Sequence, residues 1–410
     1  MTPSRRTLWS WTGAMGLIVI LIPAGGLGLA PLAGLFVMFA APAKALWRTL
    51  RAPGLALIMG VLALGWFSLS YLWSPYERVD ELAKLALLTP LFALVPLAAL
   101  QLEPRHLPMA RTWLVFAMAA VSAVMAAESL TRGDMTLSYK VAMEGYEGTR
   151  QYLQSAVDRA LSRGATPALM MIGITAIMLW TTGRTLLRWV AGAMALICLA
   201  IAFDFNVHAN GVAFIAALAV TAMAARWPRH ALPLLLCAMA AAIMFTPLIF
   251  SALLALSGEE FRAMLPLSWE WRLEIWNYAL SRIGEQPLTG HGLGAARVIA
   301  TEAELRGIQI ELLPMHAHNA GMTIWVETGL IGAALIALAL LTAARAVMRM
   351  TLSRPAVMMV CWALTIWFVN VSLSYGFWQE WHHAAVAFAI AMTIIARPQT
   401  PAAGNLRHTP

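Results

Sequence analysis

The sequence predicts an all-α polytopic membrane protein, and three observations carry that expectation. Of its 410 residues, 60% are hydrophobic and only 12% are charged, which sets the chain apart from soluble proteins of similar length. Twelve apolar segments approach the roughly 20 residues a helix needs to cross a bilayer's hydrocarbon core. Basic residues recur in short clusters between those segments, the pattern that orients membrane proteins.

Expected spans run over roughly residues 8–24, 26–43, 53–73, 82–101, 110–130, 165–182, 186–203, 211–226, 232–256, 319–344, 355–376 and 382–396. Unpaired backbone groups are costly in lipid, so such runs form helices, and the strand-length alternation of a transmembrane barrel is missing. The first segment, Leu8–Leu21 behind the basic pair Arg5 and Arg6, has the outline of a secretory signal. No small-residue cleavage site follows it, so it reads as the first helix. No soluble block of domain size stands apart, and residues 1–410 read as one integral membrane domain.

Charge assigns the sides. With Arg5 and Arg6 in the cytoplasm and the spans alternating, the inside collects Lys44, Arg48, Arg51, Arg105, Arg111, Arg184, Arg188, Arg226, Arg229, Arg345, Arg349, Arg354, Arg397 and Arg407. That makes 16 basic residues against one acidic residue, Glu103, and leaves 12 basic and 19 acidic residues for the other side. Both termini are then cytoplasmic. The net charge of +8 is an orientation signal, and no nucleic-acid partner is expected. Cys198, Cys237 and Cys361 all fall in apolar runs, where a thiol behaves as a small hydrophobe, so neither a disulfide framework nor a thiolate metal site is expected.

Two long connections, residues 131–164 and 257–317, fall on the outside, where function concentrates. In the second, Trp269, Leu273, Trp276, Leu280 and Ile283 recur at helical spacing, predicting a short amphipathic helix at the outer interface. Charges deep in the spans are nearly absent, because Glu128, Asp204 and Glu327 lie toward outer ends. That disfavours an ion-coupled transporter or flippase.

The segment His316-Ala317-His318-Asn319 precedes an apolar helix in which Gly329 and Gly332 follow Asn319 at fixed spacing. Upstream lie Arg272 and the turn Pro287-Leu288-Thr289-Gly290-His291-Gly292-Leu293-Gly294. Over about residues 257–332 the chain resembles the O-antigen ligase family, membrane glycosyltransferases that move a glycan from undecaprenyl diphosphate to the lipid A core, and the span layout extends the likeness. The resemblance implies an inverting, metal-independent transfer in a bacterial inner membrane, with the active site facing the periplasm and no cofactor. It also implies an arginine near the junction of the first long loop with the next span, which Arg150, Arg159 or Arg163 could supply. A Ser-Arg-Gly-like turn common among relatives is replaced here by His208-Ala209-Asn210-Gly211.

The residue chemistry agrees. Polyprenyl diphosphate is an activated donor, so the protein must neutralise growing negative charge and deprotonate the incoming hydroxyl. Arginine suits the first task and neutral imidazole the second. His318 is therefore the expected general base, with Arg272 and Arg163 or Arg159 holding the diphosphate. On a helix His316 would point about 200° away from His318. A bland reading leaves His318 as a helix-capping interfacial residue and Arg272 as a side chain snorkelling to headgroups. The glycine-rich turn could offer amides to phosphate, or His316, His318 and His291 could hold a metal. The rival reaction is O-antigen polymerisation, with another lipid-linked glycan as acceptor.

Overall fold

The computed structural model describes residues 1–205 and 207–397, so Arg407 lies outside the described residues. The first half comprises α1 (Pro3–Leu21), α2 (Leu29–Ala40), α3 (Ala43–Arg51), α4 (Leu55–Leu69), α5 (Val79–Ala99) and α6 (Leu107–Thr131). Then follow α7 (Asp134–Met143), α8 (Arg150–Thr181), α9 (Thr185–Asp204), α10 (His208–Arg226), α11 (Pro228–Met244) and α12 (Thr246–Leu256). Short α13 (Glu259–Met264) and α14 (Leu267–Glu285) lead to a hairpin of β1 (Thr301–Leu305) and β2 (Ile308–Leu312). Helices α15 (Ala320–Met348), α16 (Arg354–Leu373) and α17 (Glu380–Ala396) end the order.

The fold is that of an all-α polytopic membrane protein, and each of the twelve apolar segments is helical. The count of twelve spans is not confirmed. Among the described residues eight helices are long and apolar enough to cross a membrane, or ten if the pairs α2–α3 and α11–α12, bent by 92° and 72°, each form one span. Proline explains both bends: Pro42 follows the left-handed Ala41 (φ 46°), and Pro247 sits in the first turn of α12. Helix α17 is apolar but has 17 residues, and α1 opens on the polar run Pro3–Thr7.

Contacts between helix ends sort them onto two faces. At one, Ser4 meets His106 at 2.6 Å, Gln101 donates to the Ala40 carbonyl and Arg111 to the Ile395 carbonyl. At the other, Gly25 packs on Ala160, Gly292 on Ser74, and Lys84 pairs with Glu380. Helix α7, the start of α8, and the whole stretch from α13 to β2 belong to this second, loop-bearing face. At 32 residues, α8 is about 48 Å long and outruns a hydrocarbon core of about 30 Å, so its first turns stand clear of the span.

The hairpin departs from the sequence reading, which gave this loop only helices. Arg306 and Gly307, at φ 52° and 77°, form the two-residue connection between Leu305 and Ile308, the left-handed pair that a tight hairpin turn demands. Ile310 and Leu312 are buried while Ile308, Gln309 and Glu311 are exposed, and Trp271 of α14 donates to the Glu311 carbonyl at 2.9 Å. The expected amphipathic helix is α14. Leu273, Trp276 and Ile283 of its stripe are buried, but against protein, with the Trp276 ring edge-on to Phe250 of α12 at 4.7 Å.

Candidate active site

The segment from His316 to Asn319 is not helical. His318 has φ 50°, a conformation a β-carbon-bearing residue holds only when its surroundings impose it. Asn319 is extended and caps α15, its side chain accepting from the Met322 amide at 2.8 Å and donating to the Ser372 carbonyl at 3.0 Å. From α14, Trp276 donates to the Ala317 carbonyl at 3.0 Å. The His318 amide donates to His316 Nδ1 at 3.2 Å, and the two rings meet edge to face with centroids 4.3 Å apart. Helical geometry separates such rings; this turn brings them together.

The second nitrogen partner fixes the tautomer. His318 Nδ1 lies 2.7 Å from the Ser374 carbonyl, and a carbonyl only accepts, so Nδ1 carries the proton and Nε2 keeps a lone pair. Burial lowers the His318 pKa below its ordinary value, the Ser374 carbonyl opposes that shift, and the Arg272 cation adds to it. His316 is pushed down to about 3 by burial, His318, Arg297 and Arg272. Both rings are therefore neutral at physiological pH.

Arg272 stands one helical turn before Trp276, so the helix that anchors Ala317 also carries the cation acting on both histidines. Its Nη1 donates to the Ser268 carbonyl at 2.8 Å, its Nε is buried without a partner, and the guanidinium lies over Trp269 at 5.4 Å. Burial lowers its pKa, yet an arginine starting so high stays charged.

The three arginines left open at the first loop separate clearly. Arg150 begins α8 and is exposed. Arg159 is exposed and reaches back to Ser155 at 3.3 Å. Arg163 is half-buried with an unpartnered, buried Nε, and its charge acts on Tyr375. Tyr375 donates its hydroxyl to the Ser162 carbonyl at 2.9 Å, and burial pushes its pKa up to about 12. Ser374, Tyr375 and Gly376 thus link three parts of the site, touching His318, the Arg163 turn and His316 in succession. Sequence reasoning missed this loop. It also missed Arg297, which acts on His316 and lies 3.8 Å from Glu81.

The glycines of the spacing motif serve the backbone. Gly329, at φ 63° and ψ −162°, breaks α15 in a conformation that is essentially restricted to glycine. The 287–292 turn mends the break: His291 and Gly292 amides donate to the Val326 and Glu327 carbonyls at 2.8 Å, and Leu330 and Ile331 amides donate to Pro287 and Leu288. Trp66 donates to the Thr328 carbonyl at 3.0 Å. The turn's amides at 291 and 292 are thus spent on α15 and are not free for phosphate. His291 Nε2 faces the Arg282 carbonyl at 2.8 Å, away from a His316–His318 metal set, and among the described residues no three His, Cys, Asp or Glu side chains gather to hold an ion. At the replaced turn, Asn210 is buried and its Oδ1 accepts from Thr166 at 3.0 Å.

Fold and site define a multi-pass helical membrane protein with two neutral imidazoles near arginines at its loop-bearing face. Residues 208–337, which hold Arg272, both histidines and the broken helix, match the O-antigen ligase family model. The family resemblance read from the sequence is therefore shown over that stretch. Three Rickettsia proteins, provisionally named polysaccharide ligases, are similar. Those of R. typhi and R. prowazekii are each 24% identical over 146 residues, covering 34% of this chain and 36% of the relative. That of R. conorii is 26% identical over 147 residues, covering 34% and 35%. The matched stretch spans about a third of the length of these curated relatives, and Arg163 lies outside the family match.

Proposed function

We propose that this protein is an O-antigen ligase, transferring a glycan from undecaprenyl diphosphate to a sugar hydroxyl of the lipid A core at the periplasmic face of a bacterial inner membrane. The observation that carries the reading is His318: a neutral imidazole whose Nε2 lone pair is left open by the Nδ1 contact to Ser374, beside the Arg272 cation. Nε2 takes the proton from the acceptor hydroxyl as its oxygen attacks the anomeric carbon from the face opposite the departing diphosphate, which inverts that centre. Arg272 and Arg163, each with an unpartnered Nε, meet the charge that grows on the leaving diphosphate. No step in this scheme calls on a metal or a cofactor.

An apolar groove of 540 Å³ supports a lipid-linked donor. It runs between α4, α5, α15 and α17, lined by residues such as Leu64, Leu88, Phe92 and Leu340, and its lining also includes Glu81, Lys84 and Glu380. The groove reaches Phe377 and Trp378, in the loop that carries Ser374 and Tyr375. A polyprenyl chain fits such a wall; its diphosphate is met by Arg272 and Arg163, since Glu81 and Glu380 outnumber Lys84 in the groove's lining.

The test is reconstitution in liposomes with purified lipid-linked glycan and lipid A core. Glycan appearing on the core is the expected result. Longer lipid-linked glycan would identify a polymerase, and glycan crossing the bilayer without new bonds would identify a flippase; either outcome overturns the reading.

A further inference from the structure

Helix α3 sits on the face opposite the long loops. The Ala40 carbonyl, at the end of α2, accepts from Gln101 on the face where Ser4 meets His106. From that face α4 carries the chain across to Ser74, beside Gly292 on the other. Between the two, α3 turns 92° from α2, and a helix set square to one that runs from face to face lies along the face. None of its nine residues is buried. Ala43, Leu46, Trp47 and Leu50 keep the i, i+3, i+4, i+7 rhythm of an apolar stripe, and Lys44, Arg48 and Arg51 keep the i, i+4, i+7 rhythm of a cationic one beside it. Trp47 and Leu50 are 57% and 54% exposed, and the Arg51 guanidinium lies over the Trp47 ring at 4.7 Å. No acidic residue precedes Glu77 in the chain, and among the described residues no carboxylate pairs with Lys44, Arg48 or Arg51.

Such a helix matches the boundary between headgroups and acyl chains, where an apolar stripe sinks about 5–10 Å and flanking cations meet phosphate. Tryptophan is favoured at that depth. Anionic lipids give the cytoplasmic leaflet its negative surface, and each Lys or Arg near it contributes about fivefold to binding. A polyanion in solution would engage the cations and leave the apolar stripe in water. We infer that α3 lies in the headgroup layer, on the side that the basic residues assign to the cytoplasm, and binds anionic phospholipid of its own bilayer. Trp47 and Leu50 enter the acyl boundary, and Lys44, Arg48 and Arg51 take the phosphates. The interfacial helix expected at α14 is packed on protein; α3 fills that role on the opposite face.

The full chain in detergent, titrated separately with phosphatidylglycerol and phosphatidylcholine and read by native mass spectrometry, tests the proposal. Phosphatidylglycerol should bind more tightly by roughly tenfold or more. That preference should be lost in the triple variant Lys44→Gln, Arg48→Gln, Arg51→Gln and kept in the double variant Arg184→Gln, Arg188→Gln, which removes two exposed arginines of another connection. A second measurement leaves the cations intact and decides the matter if the triple variant fails to fold. A spin label on Leu50→Cys in phosphatidylglycerol nanodiscs, compared with the unsubstituted chain treated alike, should relax faster with oxygen than with a water-soluble nickel chelate. Equal binding of the two lipids, a preference that survives the triple variant, or one lost equally in both variants would each overturn the proposal. A label reached mainly by the chelate would do so too, and would leave α3 open to a soluble partner.

Discussion

The Trp378 indole donates to the Glu327 carboxylate at 2.6 Å, fastening the loop between α16 and α17 to the broken half of α15. Through that bond the segment that orients His318 is held by a buried acid 51 residues away in the chain.

Trp378→Phe should therefore destabilise the protein by about 1–3 kcal/mol, the cost of stripping a buried acceptor of its donor, and should slow transfer as the Ser374 carbonyl loses its support. Glu327→Gln keeps an acceptor and should be milder. Thermal unfolding in detergent, read beside turnover, checks both; equal stability in Trp378→Phe and wild type would refute the account.

His318→Ala should reduce turnover by about 10²–10⁴, the usual contribution of a positioned base. Loss of a mere helix cap would cost only about 0.5–2 kcal/mol of stability. Near-normal turnover would end the assignment and make His316 the next candidate.

Because burial and Arg272 hold the His318 pKa below 6.5, the base stays neutral as pH drops past that value. The acid limb of the kcat/KM profile should lie below pH 6.5, where protonation finally removes the lone pair. Arg272→Gln takes away a cation that disfavours the imidazolium, so the limb should shift to higher pH. An unshifted limb would separate Arg272 from the base.

Lysine keeps charge but loses bidentate geometry. Arg272→Lys and Arg163→Lys should impair transfer, whereas Arg159→Lys, at an exposed side chain bonded only within α8, should leave it near normal. Equal loss at all three would point to bulk surface charge.

Orientation is checked by cysteine labelling, aided by native cysteines that lie in apolar helices. Single cysteines at the exposed positions Gly145 and Glu304 should react from the periplasm, and those at the exposed Arg184 and Arg354 only after permeabilisation. The opposite pattern would put the site on the wrong side.

The spans were legible because a twenty-residue apolar run leaves lipid-bound backbone no alternative to a helix. What composition did not show was where proline would bend such a run, as at Pro42 and Pro247. His318 and Arg272 were legible from their place beside a spacing motif. The His316 contact was not, because it depends on the left-handed His318 backbone, a tertiary effect. Ser374 contributes a carbonyl, which every residue owns, so no residue pattern could announce it. The hairpin escaped because two five-residue strands around Arg306-Gly307 leave a weak signal inside a long loop. Gly290 and Gly292 looked like phosphate binders, yet each lets backbone approach where a β-carbon would come within 2.4 Å of Glu327 or Ser74.

The mended break in α15 imposes an order on biogenesis. The residues that complete the span's ladder, Pro287 to Gly292, are synthesised before the span itself. Until they dock, the carbonyls at 326 and 327 and the amides at 330 and 331 stand unpaired, each costing several kcal/mol where no water reaches it. The span can therefore complete its ladder only once that turn has docked.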